Sequence, residues 1–104
     1  MQFDGFQWDK GNWPKCSEHG LTRPDIEQLF SGECAVYPDV QHSQAEERFF
    51  AIGQIESDRW IFAAFYFRRE GGAVLIRPIS ARRMHDREIK RYATDTQSTS
   101  DPDQ

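Results

Sequence analysis

Trp60-Ile61-Phe62-Ala63-Ala64-Phe65-Tyr66-Phe67 is apolar at nearly every position. A strand with one face in water alternates apolar and polar side chains, so a run without alternation reads as a central strand covered on both faces. The flanking runs, Phe49 to Ile55 and Ala73 to Arg82, are also rich in β-branched and aromatic residues. Only Glu56-Ser57-Asp58 and Glu70-Gly71-Gly72 separate the three runs, and such short connections join antiparallel neighbours. The expectation is an antiparallel meander with Trp60 to Arg68 in its middle. Pro78 cannot donate to a ladder, so the third run requires a free edge or a bulge there.

Upstream, Phe3, Phe6 and Trp8 stand among polar residues and read as a short first strand or aromatic anchor ending at Asp9. Lys10 to His19 is read as a first helix closed by Gly20. A second helix follows Thr22, whose hydroxyl, with Asp25 three residues on, makes a capping-box start. Ile26, Leu29 and Phe30 fall on one side of it, and Ser31-Gly32 stops it. Ala35-Val36-Tyr37 can form a short strand before a long polar connection. Downstream, Met84 to about Asp95 is amphipathic, with Ile89, Tyr92 and Ala93 opposed to Arg87, Lys90 and Arg91. The fold class is therefore α+β: an antiparallel meander, two N-terminal helices packed on one face, and a C-terminal helix. Residues 1–95 form the expected domain. Residues 96–104 are polar and short of apolar side chains, so a disordered tail is expected.

A chain of 104 residues supports one hydrophobic core and not two. No apolar run approaches the ~20 residues needed to cross a bilayer, and the N-terminus lacks a secretory pattern, so the expected compartment is the cytoplasm without membrane contact. Cys16 and Cys34 form no CxxC pair; in a reducing cytoplasm both stay thiols and serve as packing residues.

The net charge of −4 hides a strong asymmetry. From Arg59 to Tyr92 nine cations face three acids, a local +6 that leaves −10 for the remainder. A basic segment on an acidic protein can present a phosphate-binding face, although an arginine-rich solvated face is the plainer alternative. The chain has no phosphate-binding glycine loop, no GxSxG and no HExxH, and its three histidines are too dispersed for a metal motif, so neither metal nor other cofactor is expected. Attention falls on Arg68, Arg77, Arg82 and Arg83, because guanidiniums at strand ends can clamp a phosphodiester bidentately. For Arg83, as for Arg69, a stem covering apolar surface is the simpler reading. The aromatic stripe Trp60, Phe62, Phe65 and Phe67 reads as core.

Taken in order, Phe6-Gln7-Trp8-Asp9, Lys15-Cys16 with His19-Gly20, His42-Ser43 followed by Glu46-Glu47-Arg48-Phe49, Ile52-Gly53, and Ile76-Arg77-Pro78-Ile79-Ser80-Ala81-Arg82 with Met84-His85 resemble the BrnT toxin family. The resemblance spans Phe6 to Tyr92. It implies a RelE-like fold, metal-independent cleavage of RNA, inhibition of translation, and neutralisation by an antitoxin, usually of the DNA-binding ribbon-helix-helix kind, through which alone the toxin meets operator DNA. Two positions depart from the family's usual pattern. Glu18 stands before His19 where a lysine is more frequent, which would repel phosphate, and Tyr66 stands where a threonine is more frequent.

RNA carries its own nucleophile, the 2′-hydroxyl, so such a protein need only remove that proton, stabilise the phosphorane and protonate the departing 5′-oxygen. Arg82 and Arg77 are the candidates to meet the developing charge. His85, Glu47 and His19 are the candidate proton carriers, with His85 first because histidine ordinarily titrates near neutrality and this one closely follows the basic strand. Lys15, Arg68 and Arg83 are candidate RNA contacts. Each has a structural alternative: His85 as a helix-start residue that packs or caps, and Glu47-Arg48 as an ion pair tying the polar connection to the sheet. The competing function is a non-catalytic toxin-like module that acts through its antitoxin or inhibits a protein target.

Overall fold

The computed structural model describes residues 1–99. Five strands and two α-helices follow one another as β1 (Gly5–Phe6), α1 (Arg23–Ser31), β2 (Cys34–Pro38), β3 (Phe49–Ile55), β4 (Arg59–Glu70), β5 (Ala73–Arg83) and α2 (Asp86–Thr99). The sheet order is β1-β5-β4-β3-β2. Strands β2 to β5 form the expected antiparallel meander, with β4 at its centre. Gly71 and Gly72, both at positive φ, make the two-residue β4–β5 turn that a side chain would oppose. No helix among the described residues is long and apolar enough to cross a membrane.

Two expectations are corrected at the N-terminus. Strand β1 is shorter than the aromatic run suggests and runs parallel to β5, so the sheet is mixed. Lys10–His19 is not an α-helix; apart from one 3₁₀ turn at Lys15–Ser17 it is a chain of turns, leaving α1 as the single α-helix ahead of the meander. Pro14 has no N–H to give an i−4 carbonyl, and the side chains of Asp9 and Asn12 capture local backbone N–H groups instead. At the other end α2 continues past Asp95 to Thr99, into the expected tail; residues 100–104 lie outside the described residues.

Helix α1 starts with the expected capping box, Thr22 accepting from the Asp25 N–H and Asp25 from the Thr22 N–H. Its buried Ile26, Leu29 and Phe30 cover one sheet face, where Ala51, Ile61, Ala63, Phe65, Ile76 and Ala81 are also buried. Phe30 meets Phe65 edge-on at 4.9 Å. Gly53 lets the helix approach, because a Cβ there would lie 2.9 Å from Leu29 Cδ1. Cys16 and Leu21 close the same core, as the packing reading of Cys16 anticipated; burial pushes its thiol up to about 11.

The opposite face of β4 is not sealed in the same way. Helix α2 leans on one end of it, with Tyr92 5.8 Å from Trp60, while Phe62 and Tyr66 remain half-buried. The continuous apolar run thus encodes one closed face and one partly open one. The polar connection folds around Asp39, which is buried and accepts from both the backbone and the imidazole of His42. Ser43 ties it to the Arg48 backbone, so His42-Ser43 is indeed a turn element. The expected Glu47–Arg48 ion pair is absent: Arg48 turns to Asp39 at 3.3 Å, where burial strengthens the attraction.

Candidate functional site

Successive side chains of a strand point to opposite faces, so Arg77 and Arg82 belong on different sides of an unbroken strand. A bulge reverses that outcome. Opposite β4, Ala64 pairs with Ser80 but Phe65 pairs with Pro78, which leaves Ile79 as an extra residue. Arg77 consequently faces Tyr66, and Arg82 faces Phe62. Tyr66 and Phe62 lie four positions apart on one strand and share a face, and therefore so do the two arginines, with Cα atoms about 13 Å apart. The requirement imposed by Pro78 is met on both sides, by the bulge toward β4 and by a side chain at the edge beyond β1. There the fully buried Asn12 donates through Nδ2 to the carbonyls of Pro78 (2.8 Å) and Gln7 (2.9 Å), and accepts from the Asp9 N–H (2.8 Å). Asn12 was invisible in the sequence, where it is one polar residue in a segment read as helix.

The three arginines that the sheet places on the open face, Arg68, Arg77 and Arg82, each have a carboxylate from a different part of the chain. Arg77 donates to both oxygens of Asp9 (2.8 and 3.0 Å) and to Gln7 (3.1 Å), with 13% of its side chain exposed. The Arg77 guanidinium and the Gly11 N–H hold the Asp9 carboxyl below the usual range. Arg82 is gripped by both oxygens of Glu88 at 2.8 Å, and its guanidinium lies 5.0 Å over the Phe62 ring. Arg68 lies 5.3 Å over the Tyr66 ring and pairs with Glu46. These arginines are oriented side chains rather than free surface cations.

Helix α2 contributes to the site through its first turn. Glu88 accepts from the backbone N–H of His85 at 2.9 Å as well as from Arg82, so one carboxylate caps the helix and fixes the guanidinium. The Arg82 pair, helped by the His85 N–H, lowers the Glu88 carboxyl to about 2 and raises Arg82. Glu88 is thus ionised throughout the neutral range and holds a charge, not a proton. The sequence carried a usable signal for it, since an acid three residues after a helix-start residue occupies the reciprocal capping position. His85 is exposed beside Arg87 and Glu88 at that helix start.

The remaining candidates lie apart from this cluster. Arg83 pairs in register with Ile61 and belongs to the α1 side of the sheet. Glu47 is exposed and borders a depression with Phe49, Phe67 and Val74, near the end of the α1 side. Lys15 and His19 are exposed in the turns that pack on β5 through Cys16 and Asn12. Arg68, Arg77, Arg82 and His85 are therefore brought to the open face or its border, and Arg83 and Glu47 are not.

A family model described as "Ribonuclease toxin, BrnT, of type II toxin-antitoxin system" matches residues 8–88. The chain belongs to this family. The matched span contains Asp9, Arg68, Arg77, Arg82, His85 and Glu88, while Gln7, the other partner of Arg77, lies just outside it. BrnT membership brings a ribonuclease toxin's RNA substrate and an antitoxin partner. No curated protein matches the chain.

Proposed function

We propose that this BrnT-family chain is a metal-independent endoribonuclease with a RelE-like fold that cuts RNA in the cytoplasm and stops translation. The observation that carries the reading is the β5 bulge, which gives Arg77 and Arg82 a common face next to the helix start bearing His85. The scissile phosphate would lie against Arg82, whose end-on edge is held by Glu88. Charge developing on the phosphorane oxygens is stabilised by a guanidinium that needs no reorientation. His85 carries a proton for the 2′-hydroxyl or the departing 5′-oxygen. Arg77, tied to Asp9, adds positive potential along the RNA backbone, and Arg68 extends it. Glu47 and His19 have no part in this arrangement. The antitoxin partner is of the ribbon-helix-helix kind, and contact with operator DNA runs through it.

Purified protein is expected to cleave single-stranded RNA in the presence of EDTA, and expression in growing cells is expected to halt amino-acid incorporation before DNA synthesis. Cleavage that disappears with the chelator would overturn metal independence. One observation favours a second reading, a non-catalytic binding module: Arg68, Arg77 and Arg82 each already have a carboxylate partner, so RNA must compete for them. Growth arrest with cellular RNA intact would select that reading.

A further inference from the structure

The aromatic residues of this sheet fall into two populations. On the α1 side Phe30, Phe49, Phe65 and Phe67 interlock ring to ring at 4.9–5.8 Å, and Phe30 and Phe65 are buried. On the open side Phe62 and Tyr66 are half-buried, and each carries a guanidinium over its ring: Arg82 at 5.0 Å and Arg68 at 5.3 Å. Phe50 flanks Phe62 across the β3–β4 ladder at 4.8 Å. Between the two stacks β4 and β5 contribute only the small Ala64 and Ser80, while Phe50 of β3, in register with Ala64, adds a third ring on the β3 side. The stacks stand about 13 Å apart along β4, on the face where Arg77 and Arg82 meet.

Such a surface differs from what phosphate gripping alone requires. Lysines or arginines on a polar face would hold a sugar–phosphate backbone without any ring. A guanidinium plane laid over a half-buried ring suits an unstacked base, because every base has a flat π face that stacks on aromatic rings and guanidiniums alike. Base-paired RNA keeps those faces inside its own helix and could not use them. Phe30 and Phe65 on the α1 side show the alternative, rings wholly buried against one another.

We infer that Phe62 and Tyr66, each with its overlying arginine, form a two-point stacking platform for nucleobases, so that the substrate is unpaired RNA read through its base faces. This rests on the ribonuclease reading and adds to it a base subsite separate from the phosphate contacts. The expected contribution is about 5- to 150-fold in affinity per stacked base.

The test uses the full chain in EDTA with two ligands of equal length: a single-stranded RNA made uncleavable by 2′-O-methylation, and an abasic phosphodiester of the same charge. Wild type is expected to bind the base-bearing ligand at least ~10-fold more tightly. Phe62→Leu and Tyr66→Leu, which keep apolar bulk and lose the ring, are expected to bring that ratio toward one, with circular dichroism and melting confirming that both fold. Equal affinity of wild type for the two ligands overturns the platform while leaving the phosphate-gripping face in place, and so does an undiminished ratio in both folded variants. Binding of neither ligand overturns the RNA reading and the platform together; if the antitoxin then proves sensitive to both substitutions, the face is a protein-docking surface.

Discussion

The two faces of the sheet are built from alternate residues of the same strands and follow opposite rules. Toward α1, Ile61, Ala63 and Phe65 are excluded from water, and their contacts are apolar. Away from α1, Phe62 and Tyr66 are half-exposed, and the polar partners are three guanidiniums, each with its own carboxylate. One face stabilises the protein by removing surface from water, and the other holds charge in a fixed orientation. Because side-chain direction alternates along a strand, a substitution should disturb one property with little effect on the other. The bulge at Ile79 is what brings Arg77 across to join Arg82.

The largest expected effect is on stability, from the closed face. Phe65→Ala should cost about 3–5 kcal/mol, as truncation of a buried phenylalanine does, read as a lower urea midpoint. A loss well under 1 kcal/mol would mean that this face is less tightly packed than its burial implies. The seam between faces comes next. Asn12→Ala removes three hydrogen bonds and strands the carbonyl of Pro78, for an expected loss of about 1–3 kcal/mol by the same measurement. Unchanged stability would show that the edge of β5 is satisfied in another way. Thr22→Ala, at the α1 cap, should cost about 1 kcal/mol.

The smallest effect concerns the open face and is set by pH. Glu88 ionises at about 2 in the folded protein against an ordinary 4.5. A depressed carboxyl contributes stability that is fully present above 4.5 and is lost as the pH falls toward 2. The pair is about a third exposed, so solvent screening keeps the contribution modest. Glu88→Gln should flatten that part of the acid-melting curve. Superimposable curves for variant and wild type between pH 4.5 and 2 would deny the Arg82–Glu88 pair any role in stability.

The meander was legible because three long apolar runs and two short turns leave few ways to connect them. The capping box at Thr22 and Asp25 was legible for a local reason, as its partners lie within one helical turn. Lys10–His19 was misread because its structure comes from side-chain to backbone bonds and from packing on β5, neither of which has a period. The common face of Arg77 and Arg82 could not be read, since alternation alone separates them and the position of an extra residue depends on the partner strand. Pro78 announced a bulge or a free edge without saying which side chains it would reorient. Glu88 was within reach from its spacing to His85, whereas Asn12 left no signal.

Arg82 and Arg83 are adjacent in sequence and lie on opposite faces, which makes them a direct test of the division of labour. In an EDTA-containing assay of RNA cleavage, Arg82→Ala should lower the rate by about 10²–10³-fold, the usual effect of losing one transition-state donor, with its melting transition retained. Arg83→Ala should stay within about twofold of wild type, because exposed substitutions away from a site change little. Equal losses in both variants, or full cleavage by a folded Arg82→Ala protein, would contradict the assignment of the chemistry to the open face.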